Sequence, residues 1–267
     1  MLRTFKNNSI ANSLNVPPEI HEEDFLFNFL DKYGKNPQEE YFLSARESAK
    51  KIDQLIKGNI KPFGLSSIDP NNFSLLDFAS GFGMVNRHFR VVIPSASVEA
   101  CDIHPAATSF SKDYLGIPCY LSNTDPSKVE INKKFDVVVA LSFLSHLPHQ
   151  SWSKWLELLF SLVKEGGLLI FTTHGPTSGI SINENLINKG IDFYFYPDSE
   201  QYDLDKNSYG SSYSHPRYAM EVINNIPNMH LSEYKMGKWW GGNQDAYVLA
   251  KKTKSMQMIS YSKRSSF

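Results

Sequence analysis

The chain has 267 residues, 41% of them hydrophobic and 21% charged, with a formal net charge of -1. These are the proportions of a soluble globular protein, and this length buries a sizeable core without disulfide or metal staples. A near-neutral balance gives no whole-molecule field for nucleic acid or an anionic membrane. Two cysteines, Cys101 and Cys119, form neither a disulfide framework nor a zinc pattern.

The N-terminal stretch "MLRTFKNNSIANSLNVPP" contains no apolar core of a secretory leader and reads as a loose arm. Helices are predicted over 19–32 and 38–58. In the second, Tyr41, Phe42, Ala45, Ile52 and Leu55 recur at helical spacing, and Gly58 and Pro62 stop it. A linker rich in Pro, Ser and Asn covers 59–72. The longest apolar stretch, Phe135 to Leu144, is broken by Asp136 and is too short to span a bilayer. A reducing, cytoplasmic location is the expectation.

From residue 74 the pattern becomes strand–helix alternation. Apolar runs fall at 74–78, 97–101, 118–121, 135–141 and 167–173, with amphipathic segments at 84–92, 105–115 and 150–164. Runs such as "FDVVVAL" and "GLLIFTT" are apolar at successive positions, as in parallel strands covered on both faces. Gly166-Gly167 is expected to end the helix before the fifth run. Residues 175–214 lose the period and read as a lid after the fifth strand. A helix over 216–224 and strands over 229–236 and 244–250 close the chain. The expected fold is α/β: a Rossmann-like, doubly wound, mostly parallel seven-stranded sheet with helices on both faces. Its expected organisation is a helical cover and linker over 1–70, a main domain over 71–252, and a flexible basic tail over 253–267.

In a doubly wound sheet, ligands lie beyond the carboxyl ends of the strands. The loop there is "LLDFASGFGMVNRHF", Leu75 to Phe89. No Lys-Ser or Lys-Thr follows Gly83, so a phosphate P-loop is excluded. The third glycine of a dinucleotide fingerprint is Met84 in one frame and Asn86 in the other, so neither frame fits. The frame that fits is D-x-A-x-G-x-G over Asp77, Ala79, Gly81 and Gly83. Nineteen residues past Gly83, Asp102 closes the second run in "SVEACDIHP", where a carboxylate can accept from both ribose hydroxyls. That acid suits NAD as well as other nucleosides.

These motifs, with "KFDVVVALSFLSHLPHQSWSKWLELLFSLVKEGGLLIFTTHG" after them, resemble the class I S-adenosylmethionine-dependent methyltransferases of the small-molecule (type 11/12-like) kind. The resemblance spans roughly 72–174, and more loosely 216–250. It implies S-adenosyl-L-methionine as cofactor. Asp77 would bind the ammonium group, Ala79, Gly81 and Gly83 would let the backbone approach, and Asp102 would hold the ribose. Ile103 would lie against adenine, Ser122 or Asn123 would meet its amine, and Leu141 would flank the methionine part. Tyr41 would come from the helix laid over the cofactor, with Arg46 a candidate partner for its carboxylate. The departure is Ala79, where many members carry glycine; the frame asks for an ordinary negative φ there, and a positive φ would count against it.

Methyl transfer needs a positioned acceptor and sometimes a general base. His146, in the loop after the fourth strand, and His174, which ends the fifth strand, are the candidates at the cofactor end of the sheet; ordinary loop structure is the alternative role for each. His215 and Tyr213 follow the lid and could close over the acceptor. The lid's Phe193, Tyr194, Phe195, Tyr196, Tyr202 and Tyr209, with Asp192, Asp198, Asp203 and Asp205, suit a sugar or small amine, and Trp239 and Trp240 could border the same pocket. The expected acceptor is oxygen or nitrogen of a small molecule, including a sugar or glycan precursor. No metal-ligand spacing appears, and a monomer or homodimer without nucleic-acid or membrane partners is expected. The rival readings are an NAD(P)-dependent enzyme on the same sheet, and a non-catalytic binding subunit that keeps the fold.

Overall fold

The computed structural model describes residues 2–3, 9–60, 67–198, 201 and 203–252. At the N-terminus, β1 (Leu2–Arg3) pairs antiparallel with β2 (Ile20–His21), and α1 (Ser9–Ser13) lies between them. Next come α2 (Phe25–Tyr33) and α3 (Pro37–Ile60). The helix expected from residue 19 therefore begins at Phe25. Asp24 is the reason: its side chain accepts from the Phe27 amide at 3.1 Å and caps the first turn.

The main sheet contains β3 (Phe73–Phe78), β4 (Ala96–Asp102), β5 (Cys119–Leu121), β6 (Phe135–Ala140), β7 (Val163–His174), β8 (Phe193–Tyr196), β9 (Ser211–Ser214), β10 (Met229–Trp239) and β11 (Gln244–Lys251). Seven of these run in the order β10-β11-β7-β6-β3-β4-β5, and the hairpin β8–β9 joins at β7. Strands β5, β4, β3, β6 and β7 are parallel; β11 is antiparallel to β7 and β10 to β11. The mostly parallel, doubly wound sheet is as expected, with β8 and β9 as additions from the lid segment.

The helices between strands are α4 (Asn86–Val92), α5 (Pro105–Asp113), α6 (His149–Ser161) and α8 (Pro216–Asn225); α7 (Gly179–Asn183) lies in the lid. The continuous apolar runs serve two cores. Leu75, Val137, Val139, Leu168 and Ile170 pack with α3, α4 and α5, whereas Leu76, Val138, Ala140, Leu169 and Phe171 pack with α6 and α8. Successive strand residues point to opposite faces, so a strand covered on both sides has no polar face to alternate with.

The Gly166-Gly167 pair corrects the sequence reading. It lies inside β7, not at the end of α6, and coincides with a register shift against β6 between Phe135 and Val137. Gly166 has φ 76, and a Cβ there would come within 2.0 Å of Ser67 Oγ. The pair thus marks an irregularity in the strand, where a side chain has no room. The basic tail over 253–267 lies outside the described residues.

One buried cation ties the N-terminal segment to the sheet. Arg87 on α4 is 2% exposed. It donates to the carbonyls of Pro17 (2.9 Å), Glu19 (2.8 Å), Gly83 (2.9 Å) and Phe82 (3.2 Å), and to Tyr41 Oη (3.3 Å). Replacing it leaves those acceptors buried without a donor. Arg87→Met is expected to lower stability by about 3 kcal/mol. Urea unfolding followed by circular dichroism measures this.

Candidate active site

Register places the ends of five strands along one edge. Asp77 on β3 faces Ala100 of β4 and Val139 of β6, and Asp102 ends β4 opposite Leu121. His174 ends β7 opposite Gln244, which opens the antiparallel β11 at the same edge. Beyond this edge lies a cleft of two joined chambers, about 870 and 520 Å³. Ala79, Ser80, Leu141, Ser142, His146 and Tyr209 line both.

The smaller chamber holds the nucleoside-type features. Gly81, Phe82, Asp102, Ile103, Ser122 and Asn123 line it, with Asp203, Asp205 and Ser208 from the lid side. Asp102 Oδ2 accepts from the Gly81 amide at 2.7 Å, which fixes the turn against β4. Its Oδ1 accepts from the His104 amide at 3.0 Å.

Asp77 lines the larger chamber, is 4% exposed, and has no hydrogen-bond donor among the described residues. Burial, and then the negative charge of Asp102, push its pKa from 3.8 up to about 8. A carboxyl in this state is poised for a cation, which restores the ionised form. Phe25, Leu26, Phe29 and Leu30 of α2 also line this chamber, as do Tyr194, Tyr196 and Trp240.

Ala79 takes φ 57, which contradicts the negative value asked of it. The chain turns at once after β3, so that the Ser80 amide reaches the Cys101 carbonyl at 3.1 Å and the Gly81 amide reaches Asp102. That turn needs the left-handed region, and alanine holds it at a cost of about 1–2 kcal/mol. Ser142, at the end of β6, has φ 55, and Trp240 has φ 49. Three strained residues thus border the cleft, as at many functional sites.

His146 donates from Nδ1 to the Gly210 carbonyl at 2.7 Å, since a carbonyl only accepts. Its Nε2 is therefore an acceptor, 3.4 Å from Ser142 Oγ. Burial lowers its pKa. His174 donates from Nδ1 to the Ser212 carbonyl at 3.2 Å, and its Nε2 faces Gln244 Nε2 at 3.4 Å. Burial and the neighbouring His146 bring its pKa down to about 4. Gln244 is 2% exposed. It accepts from Thr172 Oγ1 at 2.7 Å and donates to Ser142 Oγ at 2.8 Å.

The chain belongs to the methyltransferase-domain family. Residues 42–231 match its model, described as "Methyltransferase domain". Solved structures with the same fold include an S-adenosylmethionine-dependent methyltransferase from Clostridium acetobutylicum. It has 16% identity and a TM-score of 0.52, over 79% of this chain and 92% of that one. Magnesium protoporphyrin IX methyltransferase from Synechocystis, with bound SAH, has 13% identity and a TM-score of 0.54, over 80% of this chain and 87% of that one. An amino pentose methyltransferase from Micromonospora echinaspora, with bound SAM, has 13% identity and a TM-score of 0.53, over 78% of this chain and 92% of that one. No curated protein matches in sequence.

Of the residues named from sequence, Asp77, Ala79, Gly81, Asp102, Ile103, Asn123, Leu141, His146 and His174 meet at the cleft. Gly83 and Tyr41 stand behind its wall. A Cβ on Gly83 would come within 2.3 Å of Leu115, so this glycine serves packing against the loop before β5. Tyr41 is fully buried and donates to Asp24 Oδ2 at 2.6 Å. Arg46 donates to the Leu14 carbonyl at 3.2 Å. His215 caps α8, Tyr213 and Trp239 are buried, and Tyr202 lies outside the described residues. Sequence reading missed Gln244 and the α2 face. The available signal for Gln244 was a polar pair, Gln244-Asp245, opening the apolar run Ala246–Ala250. No cluster of metal-ligating side chains occurs among the described residues.

Two outcomes follow. Ala79→Gly is expected to raise stability by about 1 kcal/mol in chemical denaturation, by relieving the left-handed backbone. Because the folded Asp77 pKa is raised, ionising it opposes folding: its stabilising contribution is full below pH 4 and lost as pH rises through 8. Asp77→Asn is therefore expected to raise the melting temperature of the unliganded protein at pH 9 and change it little at pH 4.

Proposed function

We propose that the protein transfers a methyl group from S-adenosylmethionine to an oxygen or nitrogen of a neutral or cationic small molecule. The observation that carries this reading is the Asp77 carboxyl, without a hydrogen-bond donor among the described residues, beside Asp102 at the ends of adjacent parallel strands. Such a pair suits a ligand with an ammonium group at one end and a ribose diol at the other. The cofactor supplies an electrophilic methyl group on a sulfonium when bound. Asp77 would hold its ammonium, Asp102 its ribose hydroxyls, and Ser122 and Asn123 the donor and acceptor edge of adenine.

The acceptor would enter the larger chamber. Tyr194, Tyr196 and Trp240 offer aromatic faces, Asn183 and Asn243 offer amides, and Glu184 and Asp198 lie at the lining. Among the described residues no lysine or arginine lines either chamber. An anionic acceptor would find no counter-charge there, whereas an amine or a sugar would find acceptors and rings.

His146 is the better general base of the two histidines. Its proton is held on Nδ1 by Gly210, so Nε2, beside the rotatable Ser142 hydroxyl, carries the lone pair that can take a proton from an acceptor hydroxyl or ammonium. Its lowered pKa keeps it neutral at pH 7. The Nε2 lone pair of His174 already faces the Gln244 amide nitrogen, which only donates, and burial with the neighbouring His146 lowers the His174 pKa to about 4. His174 therefore orients, and His146 takes the proton.

Calorimetry tests the cofactor. SAH is expected to bind and NAD(H) not to; the reverse result overturns the reading. Affinity should rise as pH rises towards about 8, where Asp77 ionises, and Asp77→Asn should abolish binding. With an acceptor found in a labelled-methyl screen of amines and sugars, His146→Ala should lower kcat by about 10²–10⁴-fold while SAH affinity is unchanged. His174→Ala should lower it less.

A further inference from the structure

We propose that His104 is a positioning residue that clamps the ribose-site carboxylate Asp102 to Asp203 of the lid and so closes the nucleoside chamber over the cofactor. The functional part rests on the cofactor reading above. His104 lies two residues past the end of β4 and immediately before α5, and its ring is not used to cap that helix. Instead, Nδ1 lies 2.9 Å from Asp102 Oδ1, and Nε2 lies 2.9 Å from Asp203 Oδ2. All three residues line the smaller chamber.

A carboxylate only accepts, so both ring nitrogens donate and the ring is an imidazolium. A neutral imidazole has a single N–H and must give up one contact. The Asp102 side has a second tie through the His104 amide. The Asp203 side has none from this residue, so the lid contact is the one lost. The charged groups around the ring all favour the cation: Asp102 and Asp203 touch it, and Glu23 and Asp205 line the same chamber. The pKa is raised accordingly, chiefly by the hydrogen bond that the ring donates to Asp102 and against the opposing effect of burial.

The Asp203 side chain is 65% exposed. An ion pair this exposed adds little to global stability. What it holds is local: Asp203, Leu204, Asp205, Ser208 and Tyr209 form one side of the chamber. Their closure sets how fast a nucleoside leaves, as with other active-site lids. Protonation of one ring then links lid closure to pH: closed on the acid side of the His104 pKa, released on the alkaline side.

The test has two readouts. Imidazole nitrogen chemical shifts of the unliganded protein, with the His104 signal assigned from His104→Gln, should show His104 titrating above the ordinary 6.5. In Asp203→Asn the midpoint should fall by about half a pH unit. An identical midpoint in the two proteins overturns the clamp. For the second readout, Trp155 lines the chamber, so its fluorescence reports SAH release. Asp203→Asn is expected to speed release about two- to fivefold near pH 6.5 and to match the wild type at pH 9. Comparing the two proteins at each pH cancels the titration of Asp77. His104→Gln should release as Asp203→Asn does, and the double variant no faster; additive effects overturn the proposal. If the wild type binds no SAH, the cofactor reading and the lid's role in release fall together, while the imidazole titration still decides whether His104 holds Asp203.

Discussion

Two carboxyl groups at the ends of adjacent parallel strands set the terms for the rest of the molecule. Asp77 and Asp102 are each 4% exposed. Asp102 is satisfied by backbone amides on both sides. Asp77 has no donor among the described residues, and its proton is held up to about pH 8. Folding tolerates this because the sheet on either side is heavily packed, with Leu75, Leu76, Val137, Val138 and Val139 fully buried. The local deficit leaves a carboxyl that a positive or hydrogen-bond-donating partner would return to its ordinary ionised state.

The same logic appears in the backbone. Left-handed residues at Ala79 and Ser142 end neighbouring strands and both face the cleft. Each turn redirects polar groups: Gly81 toward Asp102, and the Ser142 amide toward Thr172 Oγ1 at 2.8 Å. Strain is concentrated where the chain must leave the sheet abruptly and leave room for a ligand. The antiparallel β11 adds Gln244 to this edge, so a strand from the end of the chain joins the loops from its middle. The lid contributes through its carbonyls as well as its side chains, because Gly210 and Ser212 fix which nitrogen of His146 and His174 carries the proton.

The cover from the N-terminal segment is fastened by a buried cation, not by apolar contact alone. Arg87 reaches Pro17 and Glu19 on one side and the turn after β3 on the other. Tyr41 and Asp24 complete that fastening and start α2, whose Phe25, Leu26, Phe29 and Leu30 wall the larger chamber. The site is thus enclosed by three separate parts of the chain, each tied to the same edge.

The sequence by itself determined the sheet. Successive apolar residues in "FDVVVAL" require covering on both faces, and strand–helix alternation then leaves few topologies. It also determined the acids at the strand ends, because Asp77 and Asp102 stand where apolar runs stop. Only the tertiary structure decided the rest. The sign of φ at Ala79 depends on how sharply the chain must turn to reach Asp102, which no local propensity states. Gly166-Gly167 read as a helix end because a glycine pair looks alike at a cap and at a bulge, and only the contact with Ser67 separates them. Tyr41 and Arg46 sit at helical spacing for the cofactor, yet Asp24 and Leu14 claim them. The partners of His146, His174 and Gln244 lie 38 or more residues away in the chain, apart from Ser142 beside His146. Spacing along the chain carries no information about contacts made across the sheet edge, and those contacts set the chemistry of each side chain.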